Sequence, residues 1–275
     1  MAKIGVGIIT CNRNEFLNGL LNTLPKNIID VLVVVNDGKA ENQIPVPGTW
    51  LQNDVNLGVG KSKNKAMKYL YDAGCDYIFI IEDDMLIKDE TVFQRYINAC
   101  KESGIQHFNY GPGSPFNRKQ QIQNFDLHNR HLLDQHSEPN PKLIIEYPNN
   151  TKIALYEHTV AMFSFFTREI LEKVGYIDEE YYNAWEHVDH TYRIIKAGYH
   201  PPFWWFADIA DSDRFLTEAP GAIDNSSIAN KSDQWLKNVT MGREIYLKKH
   251  GHYPNMPPYV TKEQVIQSLK DIKNK

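Results

Sequence analysis

The sequence predicts an α/β fold in which a mostly parallel central sheet is flanked by helices. Three observations carry that expectation. Residues 1–100 alternate strand-like and helix-like segments four times. Two of the strand-like segments, DVLVVV at 30–35 and DYIFII at 76–81, are almost wholly apolar runs, as strands covered on both faces require. Polar and acidic clusters follow the strand segments, at the ends where open α/β sheets bind their ligands.

The elements follow in order. Ile4 to Thr10 is a short β-rich run, and Arg13 to Leu24 has helical spacing through Phe16, Leu17, Leu20, Leu21 and Leu24. After the strand at 30–35, Trp50 to Gln52 reads as another short strand and Val59 to Tyr71 as a helix burying Ala66, Met67, Leu70 and Tyr71. The strand at 76–81 is followed by a helix from Glu90 to Cys100. Right-handed crossovers between such units place helices on both faces of the sheet. From Gly111 to Asn150 the periodicity dissolves into Gly, Pro, Asn and Gln, a length that suits a functional loop. Strands return at Lys152–Leu155 and Val160–Phe166, then a helix to Val174 with Thr167 as its N-cap. A helix from Trp185 to Ala197 stops at Gly198, and His200 to Ala207 reads as an aromatic strand. Two helices close the chain, Gln234–Lys248 and an amphipathic Thr261–Lys273 with Val265, Leu269 and Ile272 inward. The expected organisation is one α/β domain over 1–215, in two halves at 1–110 and 111–215. A helical extension at 216–275 packs on it.

Composition excludes some classes of partner. The 275 residues hold 30 Lys plus Arg against 34 Asp plus Glu, a net charge of −4, which disfavours a broad grip on nucleic acid or anionic lipid. Three widely spaced cysteines, Cys11, Cys75 and Cys100, fit reduced thiols rather than a disulfide framework or a zinc cluster. The apolar start is cut off at Cys11–Asn14, too early for a signal peptide, and no apolar run is long enough to span a membrane. A cytoplasmic protein is the expectation.

Reading the strand ends in turn gives Thr10 to Arg13, then Asn36-Asp37-Gly38, then Asn53 to Lys61, then Glu82-Asp83-Asp84. Three consecutive acids after an apolar strand repel one another unless a cation is present, and carboxylates with substrate phosphates are the usual setting for Mg²⁺ or Mn²⁺. The same triplet also suits a solvated turn, so alone it leaves metal binding open. The segment NLGVGKSKN at 56–64 meets neither the P-loop nor the dinucleotide-binding pattern. Its Lys61, Lys63 and Lys65 at a helix start nevertheless suit anionic groups, converging with the acids on one crevice.

Together VGIITCNRNEFL, VVVNDG, NLGVGKSKNKA, DYIFIIEDDM and FTREILEKVGYIDEEYYNAWEHVDHTYRIIKAGY resemble, in order and spacing, a GT-A fold glycosyltransferase of the family 2 type over residues 3–210. The resemblance implies a UDP-sugar donor, a Mn²⁺ or Mg²⁺ ion and an inverting transfer. Carried over by position, Thr10, Cys11, Asn12 and Arg13 line the nucleotide and Asp37 pairs with the uracil. Asn56, Gly58, Lys61 and Asn64 lie near ribose and phosphate. Glu82, Asp83 and Asp84 match the metal-binding DxD motif, with Asp84 the direct ligand; Glu82 departs from the usual first Asp.

A second departure is at Trp185-Glu186-His187-Val188-Asp189-His190, where inverting members carry a pair of acids and the second is the base. Here that second position is His187, and an imidazole can also accept the proton. Helical spacing puts Trp185, Val188, Tyr192 and Ile195 on a buried stripe and Glu186, Asp189, His190 and Arg193 on another side. Glu186 therefore ranks above His187 as base, with Asp189 in support. No His stands after residues 200–207 to close a metal sphere. Asp208, Asp211 and Asp213 are the available oxygen donors, Asp211 being the one carried as a metal position, against the reading of an acidic surface loop. His128, His131 and His136 read as surface histidines. In the run 203–206, strand alternation would put Phe203 and Trp205 in the core, with Trp204 and Phe206 opposite.

The expected activity is transfer of a sugar to a hydroxyl of a glycan or another acceptor, nucleic acid being disfavoured but open. Two alternatives are a sugar-phosphate nucleotidyltransferase and a non-catalytic nucleotide-sugar binding module. The glycine-free TCNRNEF loop disfavours the first, and the retained Asp37, Asp84 and Glu186 disfavour the second.

Overall fold

The computed structural model describes residues 2–119, 137–222, 225 and 232–275. Its centre is a six-stranded sheet in the order β3-β2-β1-β4-β9-β6, formed by β1 (Ile4–Thr10), β2 (Val31–Asn36), β3 (Thr49–Gln52), β4 (Tyr77–Glu82), β6 (His107–Asn109) and β9 (Phe163–Thr167). The first four strands are parallel, and β9 runs antiparallel between β4 and β6. The predicted α/β class is therefore observed. Register aligns Thr10 with Asn36, Asn36 with Gln52, and Ile9 with Glu82, so four polar strand ends share one edge of the sheet.

Side-chain alternation divides the core in two. Val6, Ile8, Val34, Phe79 and Ile81 face one side with residues of α1 (Asn14–Thr23) and α3 (Val92–Ser103). Ile9, Val33, Val35, Ile78 and Ile80 face the other, against α2 (Val59–Asp72), α4 (Arg168–Val174) and α5 (Glu186–Ala197). The Thr167 side chain accepts the amide of Ile170, capping α4 as its sequence predicts. The C-terminal helices are α6 (Ser232–His250) and α7 (Lys262–Lys273). Val265, Leu269 and Ile272 of α7 enter the same core cluster as α1 and α3.

Two small antiparallel sheets complete the chain. One joins β10 (Phe206–Ile209), β8 (Lys152–Tyr156) and β7 (Leu143–Glu146); the other pairs β11 (Leu216–Glu218) with β5 (Met85–Ile87). Four of the short strands, β5, β6, β7 and β11, have no counterpart among the sequence expectations, and β7 lies inside the stretch expected to be irregular. The aromatic strand expected from 200 is confined to Phe206–Ile209. Pro201 and Pro202 offer no amide for pairing, and Trp204 has a positive φ of 70°. The expected alternation consequently fails: Phe203, Trp205 and Phe206 are all buried, while Trp204 is half-buried.

Leu269→Ala should destabilise the protein by about 2–5 kcal/mol, the usual range for a truncated core leucine, with an unchanged urea m-value. A loss below 0.5 kcal/mol in chemical denaturation would show that α7 contributes no packing to the core.

Candidate functional site

The strand order 3-2-1-4 makes the gap between the ends of β1 and β4 a topological switch point, the place where open α/β sheets bind ligands. A solvent-open cleft of about 650 Å³ lies there. Its walls bring together Thr10, Cys11, Arg13, Asp37, Asn56, Glu82, Asp83 and Asp84 from the sequence candidates.

At its floor, the Arg13 guanidinium bridges two carboxylates. It is paired with Asp83 Oδ1, and its Nη2 donates to Asp84 Oδ2 at 2.8 Å. The Thr10 hydroxyl donates to Asp83 Oδ2 at 2.6 Å. Burial, with Asp84 adjacent, pushes the Asp83 carboxyl up to about 7 despite the opposing effect of Arg13. Asp84 is only 8% exposed, and its Oδ1 is buried without a hydrogen-bond partner among the described residues. A buried anionic oxygen left without a donor is a fit for a cation. Among the described residues no three His, Cys, Asp or Glu side chains form a closed metal cluster. A divalent ion held here would therefore take further ligands from a bound phosphate, the usual arrangement for Mg²⁺.

A second charged group lies behind Glu82. Lys63 of α2 is 2% exposed, donates to Glu82 Oε1 at 2.7 Å and to the Ala161 carbonyl at 3.1 Å, and lies 3.7 Å from Glu186 Oε1. Glu186, at the start of α5, is 3% exposed, and its Oε1 is also 3.2 Å from His187 Nδ1. Burial alone would raise the Glu186 carboxyl, but His187 and Lys63 outweigh it and hold the group at about 2. Its Oε2 is buried without a hydrogen-bond partner among the described residues.

The corner preceding α5 is built by contacts distant in sequence. Ala184 and Trp185 have positive φ values of 147° and 67°. Trp185 Nε1 donates to the Val239 carbonyl of α6 at 3.1 Å, and a Cβ on Gly242 would stand 2.8 Å from the Ala184 carbonyl. Glycine at 242 thus lets α6 press on the corner that aims Glu186.

No protein-family profile matches the chain, and no curated protein sequence matches it. Solved structures do share its fold. S. aureus TarS matches with a TM-score of 0.51 and 14% identity, over 99% of this chain and 43% of that one. The chain therefore spans less than half the length of that relative. TarS 1–349 in complex with UDP-GlcNAc gives a TM-score of 0.50 at 13% identity, over 99% of this chain and 72% of that one. The mannosyltransferase PcManGT from Pyrobaculum calidifontis, in complex with GDP-Man and Mn²⁺, gives 0.53 at 11% identity, over 98% of this chain and 69% of that one. The chain shares the fold of these structures.

Within this fold, several sequence candidates make other contacts. The three lysines at the start of α2 diverge instead of converging: Lys61 is exposed, Lys63 is buried on Glu82, and Lys65 donates to the Gln52 carbonyl and Asn53 Oδ1. The helix start is no open anion site either, because the Val59 amide is already taken by the Tyr182 carbonyl and Asn183 Oδ1, each at 3.1 Å. Gly58 serves this packing: its φ is 88°, and a Cβ would lie 2.4 Å from the Tyr182 carbonyl. Asn64 is buried, bonded to both backbone groups of Ile177 and to Glu179. Asn12, at φ 59°, accepts from the Lys39 amide and Asn42, tying the β1 turn to the β2 turn. The Asp37 carboxylate accepts from Asn53 Nδ2 and the amides of Leu57 and Gly58, so it shapes the cleft wall with its oxygens already engaged.

The remaining acids also differ from expectation. Asp189 is fully buried at the junction of α5 and α6, where Arg193, Lys249 and His250 surround it at 2.9, 2.9 and 2.7 Å. Glu186, Asp189 and His190 are all buried, so the side of α5 opposite its apolar stripe is not solvent-facing. Asp208 is buried and accepts four hydrogen bonds, from Tyr96, Ser212 and the amides of Gly111 and Ile209. Asp211 occupies an exposed turn at φ 57° and does not line the cleft. His128, His131 and His136 fall outside the described residues. The cleft also gains Asn183, which the sequence reading passed over.

Replacing Lys63 by Met removes the cation from two carboxylates and should destabilise the protein by about 3–5 kcal/mol at pH 7. Without Lys63 the Glu186 carboxyl rises from about 2, so the native state binds a proton on acidification that the wild type does not. The stability gap between variant and wild type in urea unfolding should accordingly narrow from pH 7 to pH 4. A gap that widens over that range contradicts the assignment.

Proposed function

We propose that this chain is a metal-dependent glycosyltransferase that moves a sugar from a UDP-sugar to an acceptor hydroxyl, with inversion at the anomeric carbon. The observation that carries the reading is the switch-point cleft itself, in which the unpartnered Asp84 oxygen lies beside Arg13, while Lys63 links Glu82 to a buried, ionised Glu186. The UDP-GlcNAc complex of TarS 1–349 supports the donor class, and the GDP-Man and Mn²⁺ complex of PcManGT supports use of a divalent ion.

Each residue then has a chemical task. The Thr10–Arg13 turn, Asn56 and the wall shaped by Asp37 bind the nucleoside end of the donor. Asp84, with Glu82 beside it, would hold Mn²⁺ or Mg²⁺, which when bound neutralises the charge developing on the departing diphosphate. Glu186 is the base: its free Oε2 takes the proton of the acceptor hydroxyl as the oxygen bonds to the anomeric carbon and the UDP oxygen leaves with the electron pair. A carboxylate held at about 2 is a weak base, so that proton moves late, once the attacking oxygen has become acidic. His187 steadies the other Glu186 oxygen, and Asp189 fixes α5 on α6. The acceptor is a glycan or another hydroxyl-bearing molecule.

The test is UDP release from a panel of UDP-, GDP- and CMP-sugars with Mn²⁺. One UDP-sugar should turn over, chelation and Asp84→Asn should each abolish release, and Glu186→Gln should lower kcat by about 100- to 10,000-fold. Near-normal turnover of Glu186→Gln alongside an inactive His187→Ala moves the base to His187. Pyrophosphate release from a sugar phosphate and a nucleoside triphosphate contradicts glycosyl transfer altogether.

A further inference from the structure

We infer that Arg13 is a resident counter-cation on Asp83 and Asp84 that keeps a divalent metal off Asp84 until a diphosphate arrives to draw the guanidinium away. The inference rests on the metal-dependent reading above and concerns the order in which the site fills.

The geometry supplies three reasons. First, one guanidinium serves both acids: Nη2 is shared between Asp83 Oδ1 and Asp84 Oδ2, while Nε lies 3.3 Å from Asp83 Oδ2. Asp83 is fully buried and its other oxygen is already taken by Thr10, so Arg13 supplies its only cationic partner among the described residues. Second, the neutralisation is incomplete. Asp84 Oδ1 remains without a partner, so the pair retains a coordination position that a monovalent fork does not fill. Third, Arg13 is placed to leave. Its side chain is 17% exposed, it caps no backbone group of α1, and it lines the same cleft as the acids.

A divalent ion entering the cleft without a diphosphate meets a positive charge already seated on Asp84, and displacing Arg13 with nothing to receive it breaks its charge-assisted bonds to both acids. A diphosphate changes both sides of that balance. Its oxygens match the guanidinium fork and supply the ligands that Asp84 alone does not provide. Metal and donor therefore bind with positive coupling beyond what shared ligation gives, and Arg13 carries the excess.

The experiment measures Mn²⁺ affinity by electron paramagnetic resonance and calorimetry, with and without saturating UDP, in wild type, Arg13→Gln, Arg13→Lys and Asp84→Asn. Arg13→Gln should tighten Mn²⁺ binding to the UDP-free protein by about 5- to 150-fold and shrink the effect of UDP correspondingly. Arg13→Lys, a point charge without the fork, should fall between, and Asp84→Asn should lose the Mn²⁺ site in either state. Thermal unfolding of each variant in the presence of Mn²⁺ alone verifies folding and repeats the ranking, the Gln variant gaining a stabilisation that wild type lacks. Mn²⁺ binding to UDP-free Arg13→Gln no tighter than to wild type overturns the counter-cation role while leaving metal dependence standing. Absence of Mn²⁺ binding in every variant, with and without UDP, overturns both.

Discussion

A buried ammonium ties Glu82 on the cleft wall to the start of α5 behind it. Lys63 reaches from α2 to Glu82 at the end of β4, to the carbonyl of Ala161 and toward Glu186 at the start of α5. Burying a lysine carries a desolvation penalty that only close carboxylates offset, and here two of them do. Lys63 remains charged for that reason, its proton held more tightly by Glu82 and Glu186 than burial loosens it. The result is a fixed spacing between the acids of the cleft and the Glu186 carboxylate. Because Glu186 Oε1 is engaged by His187 and Lys63, its second oxygen is the one left for chemistry.

The same economy of charges fixes Glu186 from behind. Arg193, Lys249 and the imidazole of His250 surround Asp189, and two of the three come from the last turn of α6. Lys249 also binds Asp178 at 2.7 Å, so one residue of the C-terminal region joins α5 to the loop before it. With Gly242 against Ala184 and Trp185 against Val239, α6 defines the strained corner from which α5 begins. Residues distant in sequence from every recognisable motif thus set the direction in which Glu186 points.

The legible part of the chain was the part governed by local rules. Unbroken apolar runs marked β2 and β4, helical spacing marked α2, α5 and α7, and Thr167 marked a cap, because each depends on residues only a few positions apart. Strand ends then located the cleft, since parallel strands put Thr10, Asp37 and Asp84 on the same edge whatever follows them. What local rules could not supply was direction. Lys61, Lys63 and Lys65 lie on one helix start, yet tertiary contacts send them to solvent, to Glu82 and to Asn53. Asp189 looked like a site residue by position and is a clamp because α6 returns to it. The four short strands were invisible for another reason: three or four residues hold too little alternation to be read, and pairing partners up to 133 residues apart decide them, as with Met85 and Glu218 in β5 and β11.

The central claim is that the β1/β4 cleft holds a nucleotide-sugar and a divalent ion through Asp84. The most direct measurement is an anomalous-difference map from crystals grown with Mn²⁺ and the UDP-sugar that turns over. The account predicts a manganese peak coordinated by Asp84 and the donor diphosphate, with the nucleoside along Thr10–Arg13 and Glu186 Oε2 facing the anomeric carbon. A nucleotide seated elsewhere, or a manganese peak with no contact to Asp84, would contradict it.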